Sequence, residues 1–232
     1  MKIEVFADEH AVAAAAAARI AVEARAAVAA RGRFVMAVSG GRTPWLMLAR
    51  LAGEDMPWRD VHVVQVDERV APAGDPDRNL THLRDSLLAH APLPPDQVYP
   101  MPVELSDAGR GASAYAATLG ALAGDPPVLD LVHLGLGPDG HTASLVPDDP
   151  ALDVTDADVA LAGPYQGHRR MTLTYPAINR ARQILWVVTG AEKAAMLRRL
   201  RGADPLIPAG RVHQARARVF ADRAAAPDGW HG

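Results

Sequence analysis

The chain contains no cysteine, so neither a disulfide framework nor a thiolate metal site is open to it, and histidine and carboxylates are the only strong metal ligands left. Lysine is nearly absent: of 24 basic residues only Lys2 and Lys193 are lysine, and the remainder are arginine. There is no excess of positive charge. A net charge of −3 removes the basic face on which nucleic-acid binding depends, so any anion must be held by a local arrangement and no nucleic-acid partner is expected. Long apolar runs are missing as well. The alanine stretch Ala13 to Ala18 is soon interrupted by Arg19, Glu23 and Arg25, too early to cross a bilayer. Met1 to Ala7 alternates like a strand and lacks the basic-then-apolar build of a signal peptide. These absences favour a cytoplasmic protein with no membrane partner.

What is present is a chain of 232 residues, 49% apolar and 22% charged, long enough to bury a sizeable core. Short apolar runs alternate with helical patterns throughout, the mark of βαβ units around a parallel, buried sheet. Strands are expected at Ile3 to Phe6, Phe34 to Val38, Val61 to Val66, Leu129 to Leu134, Met171 to Leu173, Ile184 to Val188 and Val219 to Phe220. Helices are expected at Asp8 to Ala30, Pro44 to Leu51, Leu80 to Leu88, Asp107 to Leu122, Pro176 to Arg182 and Glu192 to Arg201. The Pro- and Asp-rich breaks between them, such as Ala71 to Asn79 and Gly202 to Gly210, read as loops and not as linkers. The expected fold is therefore α/β, a Rossmann-like doubly wound sheet with helices on both faces, in one domain over residues 1–232. In such sheets ligands bind at the carboxyl ends of the strands.

Three of those ends carry polar chemistry. Ser39-Gly40-Gly41-Arg42-Thr43-Pro44 follows the second strand and opens a helix, with Pro44 suited to its first position. Glycine turns, hydroxyls and a helix N-terminus together form an anion cradle, or else an ordinary capped turn. Asp67-Glu68-Arg69 ends the third strand abruptly, as a site or as a surface ion-pair group. Gly135-Leu136-Gly137-Pro138-Asp139-Gly140-His141-Thr142-Ala143-Ser144 follows the fourth. It satisfies G-x-G-x-x-G, yet Asp139 would repel a pyrophosphate and Pro147 and Pro150 leave no long helix to receive one. What remains is a glycine loop presenting one imidazole. Arg169 and Arg170 precede another strand, and Lys193 sits near a helix N-terminus, where a cation opposes the macrodipole unless an anion is bound there.

Taken together, Ser39-Gly40-Gly41-x-Thr43-Pro44, Asp67-Glu68-Arg69, the Gly135 to Leu145 segment, Arg170-x-Thr172-Leu173-Thr174 and Gly190-x-x-Lys193-Ala194 resemble the 6-phosphogluconolactonase family, in that family's order and over roughly residues 35 to 195. The resemblance implies hydrolysis of 6-phospho-D-glucono-1,5-lactone to 6-phosphogluconate in the oxidative pentose phosphate pathway, with no cofactor and no metal. It implies His141 as general base. Ser39, Gly40, Gly41, Thr43, Arg170 and Lys193 would hold the phosphate of the small-molecule phosphosugar lactone, while Asp139, Arg69 and Asp67 would complete the catalytic group. Asp139 would fix the imidazole, and Arg69 or loop amides would meet the oxyanion.

The sister family, glucosamine-6-phosphate deaminase, carries an acidic residue before the proline that is Pro147 here and an aromatic residue at position 69. This sequence has Val146 and Arg69 instead, which favours the lactonase. A non-catalytic sugar-phosphate-binding module would need the cradle but not His141. Val146-Pro147-Asp148 and Arg78 depart from the lactonase pattern at what are expected to be rim contacts. The sequence is compatible with either a monomer or a dimer.

Overall fold

The structure, a computed structural model, describes residues 1–226 and 230. In chain order its first half runs β1 (Lys2–Phe6), α1 (Glu9–Arg31), β2 (Phe34–Val38), α2 (Arg42–Leu51), β3 (Val61–Gln65), β4 (Asp67–Arg69), α3 (Asn79–Leu83), β5 (Val98–Tyr99) and α4 (Ala108–Ala123). The second half runs β6 (Leu131–Leu134), β7 (Val159–Tyr165), β8 (His168–Leu173), α5 (Tyr175–Arg180), β9 (Gln183–Val188), α6 (Ala194–Arg201) and β10 (Ala217–Asp222).

Seven strands form one sheet in the order β1-β10-β9-β6-β2-β3-β5, with every neighbouring pair parallel. The period-2 alternation of side chains sends Phe34, Met36 and Val38 of β2 to one face and Val35 and Ala37 to the other, each into its own apolar core. The first core is closed by the alanine face of α1 with α2 and α3, and the second by α4, α5 and α6. Helices on both faces explain why these strands read as continuous apolar runs. Helix α1 starts on an Asp8 side chain that accepts from the Ala11 amide and ends on Gly32 at φ 75°.

From β2 the chain builds outward through β3 to β5, then returns to place β6 on the opposite side of β2 and proceeds outward to β9 and β10. The winding thus reverses between β2 and β6, and their carboxyl ends flank the crevice where doubly wound sheets bind ligands.

Three expectations change. Asp67 to Arg69, expected as the polar end of the third strand, forms a separate strand β4, which pairs antiparallel with β8, and β8 pairs with β7, making a second, three-stranded sheet. The helix expected over Leu80 to Leu88 widens into a π turn from Arg84 to Leu88. Pro44 stands at the third position of α2, which begins at Arg42 behind Gly41. Gly41 has φ 129°, a conformation that asks for glycine.

Candidate active site

β2 ends at Val38, and the turn that follows, Ser39 to Thr43, lines a cavity of about 680 Å³ and is anchored from beneath. The Ser39 amide donates to Nδ1 of His133 at 3.2 Å, and the Ser39 hydroxyl donates to the His133 carbonyl at 3.1 Å. His133 belongs to β6 and is fully buried, so burial pulls its pKa down to about 3 and the ring is neutral. Because Nδ1 accepts, the ring proton is on Nε2, which has no partner among the described residues. Both Ser39 donors therefore point inward. The amides of Gly40 and Gly41 bond to no backbone or side-chain acceptor among the described residues, and both glycines line the cavity. A Cβ on Gly40 would lie 2.0 Å from the Asn79 Oδ1, so only glycine fits under that side chain. Thr43 Oγ1 lies 2.6 Å from Thr189 Oγ1, tying the first turn of α2 to the end of β9.

Beyond β6, the glycine loop folds back on itself: the Gly137 amide donates to the His141 carbonyl at 2.8 Å, and the Gly140 amide donates to the Gly137 carbonyl at 3.1 Å. The imidazole lies flat over Gly137, where a Cβ would come within 2.0 Å of Nδ1. Nδ1 of His141 is 2.6 Å from Asp139 Oδ1, and the same oxygen accepts from the His141 amide at 3.1 Å. Burial alone would raise the Asp139 pKa, but the His141 amide, the His141 ring and the Tyr165 hydroxyl outweigh it and hold the carboxyl below the usual range. An ionised carboxylate only accepts, so the proton of the pair sits on Nδ1 and Nε2 carries the free lone pair. His141 lines the cavity, and Asp139 stands behind it, outside the lining.

The small sheet supplies the cations. Arg69 of β4 and Arg170 of β8 are directly paired in register, and both line the cavity. Burial and then the Arg69 charge push the Arg170 pKa below the ordinary guanidinium value. Arg170 Nε and Nη2 donate to the Tyr165 carbonyl at 3.3 and 3.2 Å. Lys193 reaches the cavity from the turn before α6, and no carboxylate among the described residues forms an ion pair with it. The turn is fixed by Asp222, whose carboxylate oxygens each accept from the Gly190 amide at 3.1 Å.

Asp67 also lines the cavity, but both its oxygens are engaged: Oδ2 accepts from Ser144 Oγ at 2.7 Å and Oδ1 from Asn79 Nδ2 at 3.3 Å. Burial, above all, pushes its pKa up. Its neighbour Glu68 points the other way, as alternation in a strand requires, and accepts from the amides of Arg69, Asn79 and Leu80 at 2.8 Å each. Arg78 is 2% exposed, with Nε 3.1 Å from Glu68 and Nη1 2.7 Å from Glu104. Arg78 is thus an internal strut for the loop from 71 to 79 and not the rim contact expected from the sequence.

The family model described as Glucosamine-6-phosphate isomerases/6-phosphogluconolactonase matches residues 7–221. The chain belongs to this family. Within the family, a 6-phosphogluconolactonase of Mycobacterium tuberculosis is 40% identical over 238 residues, covering 97% of this chain and 96% of that protein. A solved 6-phosphogluconolactonase from Trypanosoma brucei superposes with a TM-score of 0.85 at 29% identity over 97% of both chains. A monomeric glucosamine-6-phosphate deaminase superposes with a TM-score of 0.84 at 19% identity, a likeness of fold alone.

The family's two activities share the fold, so the side chains must separate them. At the position before Pro147 the chain places Val146, buried and apolar. Of the residues singled out from sequence, Ser39, Gly40, Gly41, Thr43, Asp67, Arg69, His141, Arg170 and Lys193 all line one cavity, with Asp139 bonded to His141 behind it. Sequence reasoning missed His133, Tyr165, Asn79, Ser144 and Asp222.

Proposed function

We propose that the chain hydrolyses 6-phospho-D-glucono-1,5-lactone to 6-phospho-D-gluconate, as a single domain acting in the cytoplasm, with no cofactor, in the oxidative pentose phosphate pathway. The observation that carries this reading is the 2.6 Å contact between His141 Nδ1 and Asp139, which leaves a bare Nε2 on the cavity that Arg69, Arg170, Lys193 and the Gly40 and Gly41 amides also line.

A lactone is already an activated ester, so one general base suffices. His141 Nε2 takes a proton from water, and the hydroxide adds to the lactone carbonyl carbon. Asp139 steadies the imidazolium that forms, without itself being protonated. The oxyanion is met by Arg69 or loop amides, a well-placed donor contributing about 3 kcal/mol. The bond to the ring oxygen then breaks, and the imidazolium returns its proton to that oxygen. The net change is the addition of one water. At the far end, the phosphate is held by Arg170, Lys193, Thr43 and the Gly40 and Gly41 amides, with the Ser39 hydroxyl able to rotate toward it. That remote binding keeps the carbonyl in register with His141. Asp67 orders Asn79 and Ser144 around the pocket. Ring opening of an amino sugar with loss of ammonia would need further acid–base groups, and the apolar Val146 supplies none.

The test is a direct assay of lactone opening above its uncatalysed background, run beside ammonia release from glucosamine 6-phosphate. Lactone turnover without ammonia release is expected. His141→Ala is expected to lower kcat by about 10²- to 10⁴-fold with KM little changed. Ammonia release by the unaltered enzyme, or near-normal turnover in His141→Ala, would overturn the reading.

A further inference from the structure

We propose that Tyr165 is a positioning residue that holds the Asp139 carboxylate and Arg170 at once, so that the base and the phosphate-binding guanidinium share one support. The proposal rests on the lactonase reading for what the two ends do, but not for the contacts themselves. The Tyr165 hydroxyl donates to Asp139 Oδ2 at 3.0 Å, using the carboxylate oxygen that His141 leaves free. It lies 3.4 Å from His141 Nδ1, and the two rings meet edge to face with centroids 5.1 Å apart. Asp139 is consequently gripped at both oxygens and cannot rotate away from the imidazole. The residue's other end faces Arg170: its carbonyl accepts from Nε and Nη2, and its ring centroid lies 5.1 Å from the guanidinium carbon.

The backbone explains how one residue does both. Tyr165 closes β7 at a tight hairpin whose turn residues Gln166 and Gly167 have φ 52° and 84°. The pairing of β7 with β8 slips between Ala162 and Tyr165, and such a bulge re-aims the side chain that follows it. Burial, and then the Asp139 hydrogen bond and charge, raise the phenol's pKa, so the hydroxyl remains a donor.

Tyr165→Phe removes only the hydroxyl and keeps the ring and the carbonyl that hold Arg170. Two readouts decide the matter. Nitrogen NMR of the His141 ring in the ligand-free enzyme reports the tautomer, and steady-state kinetics separate kcat from KM. In Tyr165→Phe the ring is expected to lose its exclusive Nδ1–H form, with kcat about tenfold lower and KM within about twofold. Tyr165→Ala, which also frees Arg170 from the ring, is expected to raise KM in addition. An unchanged tautomer and unchanged kcat in Tyr165→Phe would refute the proposal. Should the unaltered protein fail to open the lactone, the function assigned above fails, while the tautomer measurement still judges Tyr165 by itself.

Discussion

Acid should weaken this fold through His133 in a way that one substitution can isolate. The ring is fully buried beneath the Ser39 turn, and its Nδ1 is already accepting a hydrogen bond. A second proton would have to enter at Nδ1, ejecting the Ser39 amide and burying an uncompensated charge. The folded-state pKa is accordingly about 3, against an ordinary value of 6.5 in the unfolded chain. Since the folded value is depressed, the unfolded state binds more protons between the two values, and stability rises with pH across that window. It is fully present above about 6.5 and is lost progressively toward 3. Between pH 7 and pH 5 the loss from this residue is about 2 kcal/mol, at 1.36 kcal/mol per unit, provided only that the folded value stays below about 4. His133→Asn keeps an acceptor for the Ser39 amide and removes the titration. Urea unfolding of both proteins at pH 7 and pH 5 gives four free energies, in which every other titrating group cancels between the two proteins. The stability advantage of the unaltered chain over His133→Asn should shrink by about 2 kcal/mol on going to pH 5. Parallel losses in the two proteins would refute the reasoning.

Two further outcomes follow from contacts already described. Gly137→Ala should fold, because the loop retains its backbone hydrogen bonds, but its Cβ would lie 2.0 Å from His141 Nδ1 and must push the ring off Asp139. Its kcat is expected to fall by at least about 10²-fold, with an unchanged circular dichroism spectrum; normal turnover would place the reactive geometry elsewhere. Lys193→Ala removes a cation that has no carboxylate partner among the described residues, so its effect should appear chiefly in KM, raised by about 10- to 100-fold for a charge-assisted phosphate contact. An unchanged KM would show that the phosphate lies away from this turn.

Strands buried on both faces were readable in the sequence because most of their positions are apolar: β2, β3 and β9 appear as mainly apolar runs with boundaries within a residue or so of the observed ones. The small second sheet was not. β4 reads Asp-Glu-Arg and β7 is interrupted by Gly163 and Pro164, so their strand character comes from pairing with β8 and not from any local pattern. The same division runs through the site. Gly40, Gly41 and Gly137 were visible because close approach of a side chain or an unusual backbone angle demands glycine, and that demand is written locally. Lys193 was visible through the rarity of its type. His133 sits inside Leu-Val-His-Leu and reads as core, since only folding brings Ser39 to it. Tyr165 was unreadable for a related reason: its partner Asp139 lies 26 positions away, across a loop with no periodic pattern.

The pairing of Arg69 with Arg170 carries a last consequence. Like charges directly opposed on one face of an antiparallel pair oppose folding by several tenths of a kcal/mol. Asp67 and Asp77 temper this pair, but Asp67 is itself engaged by Ser144 and Asn79, and burial favours its neutral form. A bound phosphomonoester would supply the missing negative charge, so ligand binding and relief of the repulsion should be a single event. With the product 6-phosphogluconate at about 100 times its Kd, linkage gives about 2.7 kcal/mol of added stability, and a chain of this size should melt roughly 5–10 °C higher. Sodium chloride at matched ionic strength separates this from simple screening of the two guanidiniums. In Arg170→Gln the repulsion is gone before any ligand arrives, and at the same product concentration the rise in melting temperature should fall to a small fraction of the original. An equal rise in the variant would mean that the arginine pair is indifferent to the anion, and that Lys193 and the glycine amides hold the phosphate without it.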